Sequence, residues 1–311
     1  MATKPSEDKA TKKPARKTAS KTAAIMTDDP KSAAKPKHNR PAPSAPMYND
    51  GMLNTAIKAA RKAGNIQLRA FQERDSLEVQ AKGAGDFVTA VDKECEEVII
   101  DILSKAYPDH AFTAEESGTR GAEDAEYRWV IDPLDGTTNF IHGIPQFAVS
   151  ICCLKNNKPI HAVVYDPCKN ELFTATRGKG ATLDNRRIRV TNLSVMKNAL
   201  IGTGFPFRDG DDYTTYLNIM NDVMQSTSGL RRPGSAALDL CWVACGRYDA
   251  YWEAGLKPWD IAAGSLIALE AGAFVTDFKG DENFLENGSI VAGTPKVFTP
   301  LMAIIHKHVN K

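Results

Sequence analysis

One apolar run that ends on two carboxylates and a glycine constrains this chain more than any other stretch: Trp129-Val130-Ile131-Asp132-Pro133-Leu134-Asp135-Gly136-Thr137-Thr138-Asn139-Phe140. Trp129–Ile131 predicts a buried strand. Pro133 biases Asp132 away from helical angles, so this acid stands at the strand's exposed end. Asp135 follows across a tight turn, and Gly136, Thr137 and Thr138 predict the opening of a short helix. Two carboxylates, the carbonyl of Leu134 and unpaired helix N–H groups then meet in one place. Carboxylate and carbonyl oxygens suit a hard cation such as magnesium. N–H groups at a helix start suit an anion, phosphate above all. A metal-dependent phosphoryl-transfer enzyme needs both. An Asp-Pro turn followed by an N-cap Asp explains either acid alone, but not the whole string.

Three other acidic pieces accompany it. Glu115 and Glu116 come directly after a predicted strand, where neighbours point to opposite sides, so one can reach a metal while the other pairs elsewhere. Asp260, in Lys257-Pro258-Trp259-Asp260-Ile261-Ala262-Ala263-Gly264, stands at a predicted helix N-cap behind two stiff residues. Asp92 falls in the first turn of a predicted helix, a place the helix dipole favours for an acid, and one from which it can act as a base or polarising partner.

The rest of the chain predicts layered helices and strands without strict βαβ alternation. Helices are expected at 52–73 and 91–106, and near Asp212, Ser235, Asp260 and Pro295. A turn is expected at Lys82-Gly83-Ala84-Gly85. Strands are expected at Ala111–Ala114, Arg128–Ile131, Phe147–Leu154, Ile160–Tyr165, Glu171–Thr176 and Ala199–Thr203. Neither a G-x-G-x-x-G fingerprint nor a P-loop is present, which excludes that nucleotide chemistry. The six cysteines form no C-x-x-C pair; Cys152 and Cys153 read as small hydrophobes on opposite faces of a strand, and Cys241 and Cys245 as helix packing. His142 reads as lining the short helix.

Charge divides the chain. Residues 1–47 carry eleven Lys/Arg against four acids, and seven of the 17 prolines, with no aromatic residue. The segment has too little to bury and is expected to be a disordered basic tail. It is either a solubilising extension or a segment that contacts nucleic acid through phosphate charge. Residues 48–311 form the expected globular domain. No run is long and apolar enough for a membrane helix, and no secretory leader is seen, so a cytoplasmic location without membrane contact is expected.

The four acidic pieces, in their order along the chain, resemble the signatures of the inositol monophosphatase family, lithium-sensitive magnesium phosphatases. The resemblance runs from about Met52 to His308 and is nearest to the bacterial SuhB-type branch, through stretches such as Thr203-Gly204-Phe205-Pro206-Phe207 and Arg231-Arg232-Pro233-Gly234-Ser235-Ala236-Ala237. It implies a layered α-β-α-β-α sandwich, a homodimer, and hydrolysis of a phosphate monoester such as inositol 1-phosphate by direct attack of water. It further implies that Glu115, Asp132, the carbonyl of Leu134, Asp135 and Asp260 hold two or three Mg2+ ions. Gly136 and Thr137 would hold phosphate, and Asp92 and Thr137, with Glu115, would act on the attacking water. Arg231, Gly234, Ser235, Ala236 and Glu253 would face the alcohol. Related branches act on adenosine 3′,5′-bisphosphate, fructose 1,6-bisphosphate or histidinol phosphate. SuhB-type members are also associated with ribosomal RNA transcription antitermination, which makes RNA or the transcription machinery a second class of partner.

Overall fold

A computed structural model of the chain describes residues 50–73, 79–83, 86–207 and 210–309. The expected basic tail and half of the expected Lys82–Gly85 turn lie outside the described residues.

Two helices start the domain, α1 (Gly51–Gln72) and α2 (Ala90–Ala106), separated by a hairpin of β1 (Val79–Gly83) and β2 (Asp86–Thr89). Asp50 caps α1, accepting the N–H groups of Met52 and Leu53. The first large sheet follows: β3 (Ala111–Ala114), β4 (Gly118–Arg120), β5 (Tyr127–Asp135), β6 (Ala148–Lys155), β7 (Lys158–Asp166), β8 (Glu171–Thr176), β9 (Gly180–Leu183) and β10 (Arg186–Arg187). Its order is β10-β9-β8-β7-β6-β5-β3-β4, antiparallel throughout except for the β3–β5 pair. A five-residue helix, α3 (Thr137–Ile141), interrupts the chain between β5 and β6.

The second sheet is smaller. It joins β11 (Leu200–Thr203), β12 (Gly229–Arg231), β13 (Ala250–Glu253), β14 (Phe274–Thr276) and β15 (Ile290–Gly293) in the order β12-β11-β13-β15-β14. Its helices are α4 (Tyr213–Ser226), α5 (Ala236–Ala244), α6 (Pro258–Glu270), the short α7 (Phe284–Asn287) and α8 (Pro295–Val309).

Period-two alternation assigns each strand face to a layer. Along β6, Val149, Ile151 and Cys153 pack toward α1 and α2, while Ala148, Cys152 and Leu154 pack toward α5 and α6. Along β13, Tyr251 faces α5 and α6, while Ala250 and Trp252 face α4 and α8. Three apolar clusters, the middle one packed on both faces of α5 and α6, therefore join five layers, giving the expected α-β-α-β-α sandwich. The helices of the middle layer are apolar on nearly all sides, because both of their faces meet a sheet.

Two local expectations change. Asp135 does not lie across a turn; it is the last residue of β5. In the β5–β6 ladder Asp132 faces Ser150 and Asp135 faces Ala148, so three steps on one strand match two on the other. This bulge reverses the usual alternation and brings both acids to the side of α5 and α6. Pro133, which has no N–H for the ladder, sits within the bulge. The helix near Asp260 begins two residues earlier, at Pro258, so Asp260 is its third residue and not its N-cap.

Candidate active site

The bulge, the ends of β3 and β13, and the starts of α3, α5 and α6 converge on a cavity of about 460 Å3. Glu115, Asp132, Leu134, Asp135, Gly136, Thr137, Gly234, Ser235, Ala236, Glu253 and Asp260, all expected at a site, line it. Asp92 lies behind this wall, where Thr137 Oγ1 is 3.1 Å from its Oδ1. Arg231 is not brought in: it lines a neighbouring depression with Trp242, Arg247 and Tyr248, which Arg232 also borders, and its Nη1 donates to the carbonyl of Leu230. Arg232 is the guanidinium that lines the cavity, poised over the ring of Phe205 at 5.4 Å. In an Arg-Arg pair, spacing alone does not say which side chain turns inward.

Each acid is oriented by a local donor. Asp132 Oδ1 accepts the N–H of Leu134 at 2.9 Å. Asp135 Oδ2 accepts Ser235 Oγ at 2.6 Å and the N–H of Ala237 at 2.8 Å, which ties β5 to the first turn of α5. Asp260 Oδ2 accepts the N–H of Lys257 at 2.7 Å. Asp92 Oδ2 accepts both the N–H and Oγ1 of Thr89, at 2.8 and 2.6 Å, as a capping box at the start of α2.

Burial dominates the electrostatics. It pushes the Asp132 carboxyl well above the usual range, and the charges of Glu115, Asp135 and Asp260 push it further. Burial lifts Asp135 to about 7, against the opposing hydrogen bonds from Ser235 and Ala237. Burial also raises Asp92, again opposed by its hydrogen bonds from Thr89 and Thr137. Several acids thus share one largely buried space, with Arg232 the one guanidinium among the described residues that line it. Among the described residues, no three acidic, His or Cys side chains meet tightly enough to form a ready metal cage. The acids line one cavity, and Asp132, Asp135 and Asp260 each accept from a neighbouring N–H or O–H donor. The donor chemistry fits a hard divalent cation: all oxygen, mostly anionic, and excess negative charge that a cation would neutralise.

Sequence reasoning missed three supports. Glu96 of α2 accepts the N–H groups of Glu116 and Ser117, each at 2.8 Å, and so fixes the turn that carries Glu115. Replacing Glu96 by alanine leaves these two N–H groups without their acceptor and should destabilise the domain by about 1–2 kcal/mol; urea unfolding checks this. Asn139 Nδ2 lies 2.8 Å from the carbonyls of both Gln146 and Pro233, pinning α3 to the segment before α5. Its place in the motif was the only available signal. Gln67 Nε2 donates to the carbonyl of Pro133 at 2.7 Å, holding the bulge from the α1 side.

Gly136 is needed for both conformation and room. Its φ is +98°, and a Cβ would lie 2.9 Å from the carbonyl oxygen of Gln146. Gly136→Ala should destabilise the domain by about 2–4 kcal/mol, from strain and steric displacement together, measured by urea unfolding.

Comparison with known proteins places the chain in a family. The model of the inositol monophosphatase family matches residues 49–310. A Pseudomonas aeruginosa protein named Nus factor SuhB is 52% identical over 262 residues, covering 83% of this chain and 97% of that one. The crystal structure of the extragenic suppressor protein suhB from Bartonella henselae superposes with a TM-score of 0.81 at 43% identity, covering 84% of this chain and 100% of that one. The structure of an inositol monophosphatase from Anabaena gives a TM-score of 0.73 at 37% identity, covering 82% and 95%. With the family model matching nearly the whole described domain and half the residues shared with a full-length relative, this chain belongs to the inositol monophosphatase family.

Proposed function

We propose that the chain is a magnesium-dependent phosphomonoesterase acting on a small polyol phosphate, inositol 1-phosphate first among them. The observation that carries this is the β5 bulge, which sets Asp132 and Asp135 on one side of the strand within a cavity that also holds Glu115 and Asp260. Glu115, Asp132, the Leu134 carbonyl, Asp135 and Asp260 would hold the cations. When bound, divalent ions supply Lewis acidity toward the phosphoryl group and its leaving oxygen.

The chain's own groups do the rest. Backbone N–H groups in the first turn of α3 lack intrahelical acceptors and suit phosphoryl oxygens. Arg232 adds positive charge at the cavity wall. Thr137 Oγ1 has two acceptors for its one proton, Asp92 Oδ1 at 3.1 Å and the Leu134 carbonyl at 3.0 Å. With its proton directed inward, the hydroxyl oxygen accepts from a water and orients it toward phosphorus. Asp92, buried and fixed through Thr89, is the sink for that proton. Thr137→Ala should lower kcat about 10²-fold with little change in KM, checked by steady-state kinetics. The spending of the aspartates on cations favours direct hydrolysis over an aspartyl-phosphate route. The proposal includes a homodimer and inhibition by lithium.

Phosphate release from inositol 1-phosphate, with and without magnesium and lithium, tests it; no turnover with magnesium overturns it. A panel including adenosine 3′,5′-bisphosphate, fructose 1,6-bisphosphate and histidinol phosphate ranks substrates by kcat/KM.

A second reading has its own support. The Pseudomonas relative bears the name Nus factor, and residues 1–47 carry a surplus of seven positive charges. A role in transcription antitermination, through RNA or the polymerase machinery, need not use the cavity. RNA binding and capture of transcription proteins by chains with and without residues 1–47 test it. Absence of binding in both contradicts it.

A further inference from the structure

Opposite its acids the cavity has an apolar wall that the phosphate chemistry does not use. Past the end of β11 the chain runs through Gly204-Phe205-Pro206-Phe207. Every second residue behaves alike: Gly204 and Pro206 also border a smaller cavity of about 230 Å3 beside α4, while Phe205 and Phe207 line only the cavity that holds the acids. Both rings are open to solvent, Phe205 over 43% and Phe207 over 39% of its surface. Both are also held. Tyr216 meets Phe205 edge-on, with ring centroids 5.9 Å apart, and the guanidinium of Arg232 lies over the Phe205 ring. Pro206 fixes the backbone between the two, and the N–H of Phe207 donates to Asp211 Oδ2 at 2.9 Å. Aromatic rings fixed in the wall of a reaction cavity, with open surface facing its contents, favour a ligand that brings a second flat apolar surface.

We propose that Phe205 and Phe207 form a stacking subsite, and that the same cavity hydrolyses phosphate monoesters whose alcohol carries a flat apolar ring. The inference rests on reading the cavity as a phosphomonoesterase site, and it adds a class of alcohol to the polyols. The phosphoryl group lies at the acids and the start of α3, and the ring of the alcohol lies against the two phenyl side chains. The reaction balances as a hydrolysis: water forms the new bond to phosphorus, the bond from phosphorus to the ester oxygen breaks, and the alcohol leaves with one proton of that water.

The test compares full-length wild type, Phe205→Leu, Phe207→Leu and the double variant on 2-phenylethyl, 2-cyclohexylethyl and ethyl phosphate. Leucine keeps an apolar side chain at these solvent-open positions and removes only the flat ring, so the fold is retained. Wild type is expected to favour the phenyl ester over the ethyl ester about tenfold in kcat/KM, and over the cyclohexyl ester about threefold, mainly through KM. Each single variant loses part of the preference for phenyl over cyclohexyl, and the double variant loses all of it. Two phosphonates that cannot be hydrolysed read the subsite without turnover. By calorimetry in magnesium, 3-phenylpropylphosphonate should bind wild type about tenfold more tightly than propylphosphonate, and the double variant should lose most of that advantage. Equal kcat/KM for the phenyl and cyclohexyl esters in wild type, or a phenyl preference that survives in the double variant, overturns the proposal. If wild type hydrolyses none of these esters and not inositol 1-phosphate either, the phosphatase reading fails, while the phosphonate affinities still decide the subsite.

Discussion

Asp135→Asn should lower kcat on inositol 1-phosphate by about 10³-fold while the protein remains folded. The amide oxygen can still accept Ser235 Oγ and the Ala237 N–H, so the tie between β5 and α5 survives. What disappears is a negative charge aimed into the cavity. That charge is costly to bury, as the elevation of Asp135 to about 7 shows. The variant should therefore unfold at the same or a higher temperature than wild type when divalent ions are withheld. Activity measured beside a melting curve checks both halves. Retained turnover would mean that Asp135 is only a helix-capping acid.

The second large effect is on stability, and its sign follows from the same burial. Asp132 and Asp135 hold protons more tightly in the folded protein than the usual aspartate value near 3.8. For Asp135 the folded state then holds an extra proton across the interval between that value and about 7, and Asp132 acts in the same direction. The contribution of Asp135 is complete below about 4 and is lost as pH rises through about 7, and that of Asp132 has the same sign. In chelator, the melting temperature should fall over this window. Saturating magnesium favours the ionised acids and should remove that fall. At a hundred times its dissociation constant, a ligand of the folded state adds about 2.7 kcal/mol. For a domain of this size that is about 5–10 °C near pH 7.5. Scanning calorimetry with chelator and with magnesium, from pH 4 to 8, measures it. A pH slope that magnesium leaves untouched contradicts the assignment.

These predictions depend on features that differ in how plainly the sequence displayed them. Strands with an apolar core and a clear turn at each end were legible: Ala111–Ala114 and Glu171–Thr176 occur with the expected bounds. The long amphipathic α1 and α2 were legible to within a residue. The three- and four-residue strands β12 to β15 were not, because so short a run offers no periodicity and their register is set by neighbours distant in sequence. The acids of the site could be named from their motif, but the bulge that points Asp132 and Asp135 the same way could not. It depends on the spacing of Ala148 and Ser150 on the partner strand. Glu96 and Asn139 support the site by bonding to backbone groups, which have no signature in the side chains they serve. The choice of Arg232 over Arg231 was hidden because both are exposed residues at the end of an edge strand, where neither burial nor spacing separates them.

The most direct test is anomalous diffraction from crystals soaked in manganese, a scattering substitute for magnesium with the same preference for oxygen ligands. Strong peaks within the cavity, bounded by Glu115, Asp132, the Leu134 carbonyl, Asp135 and Asp260, are the predicted result. A cavity without anomalous density at saturating manganese would contradict it.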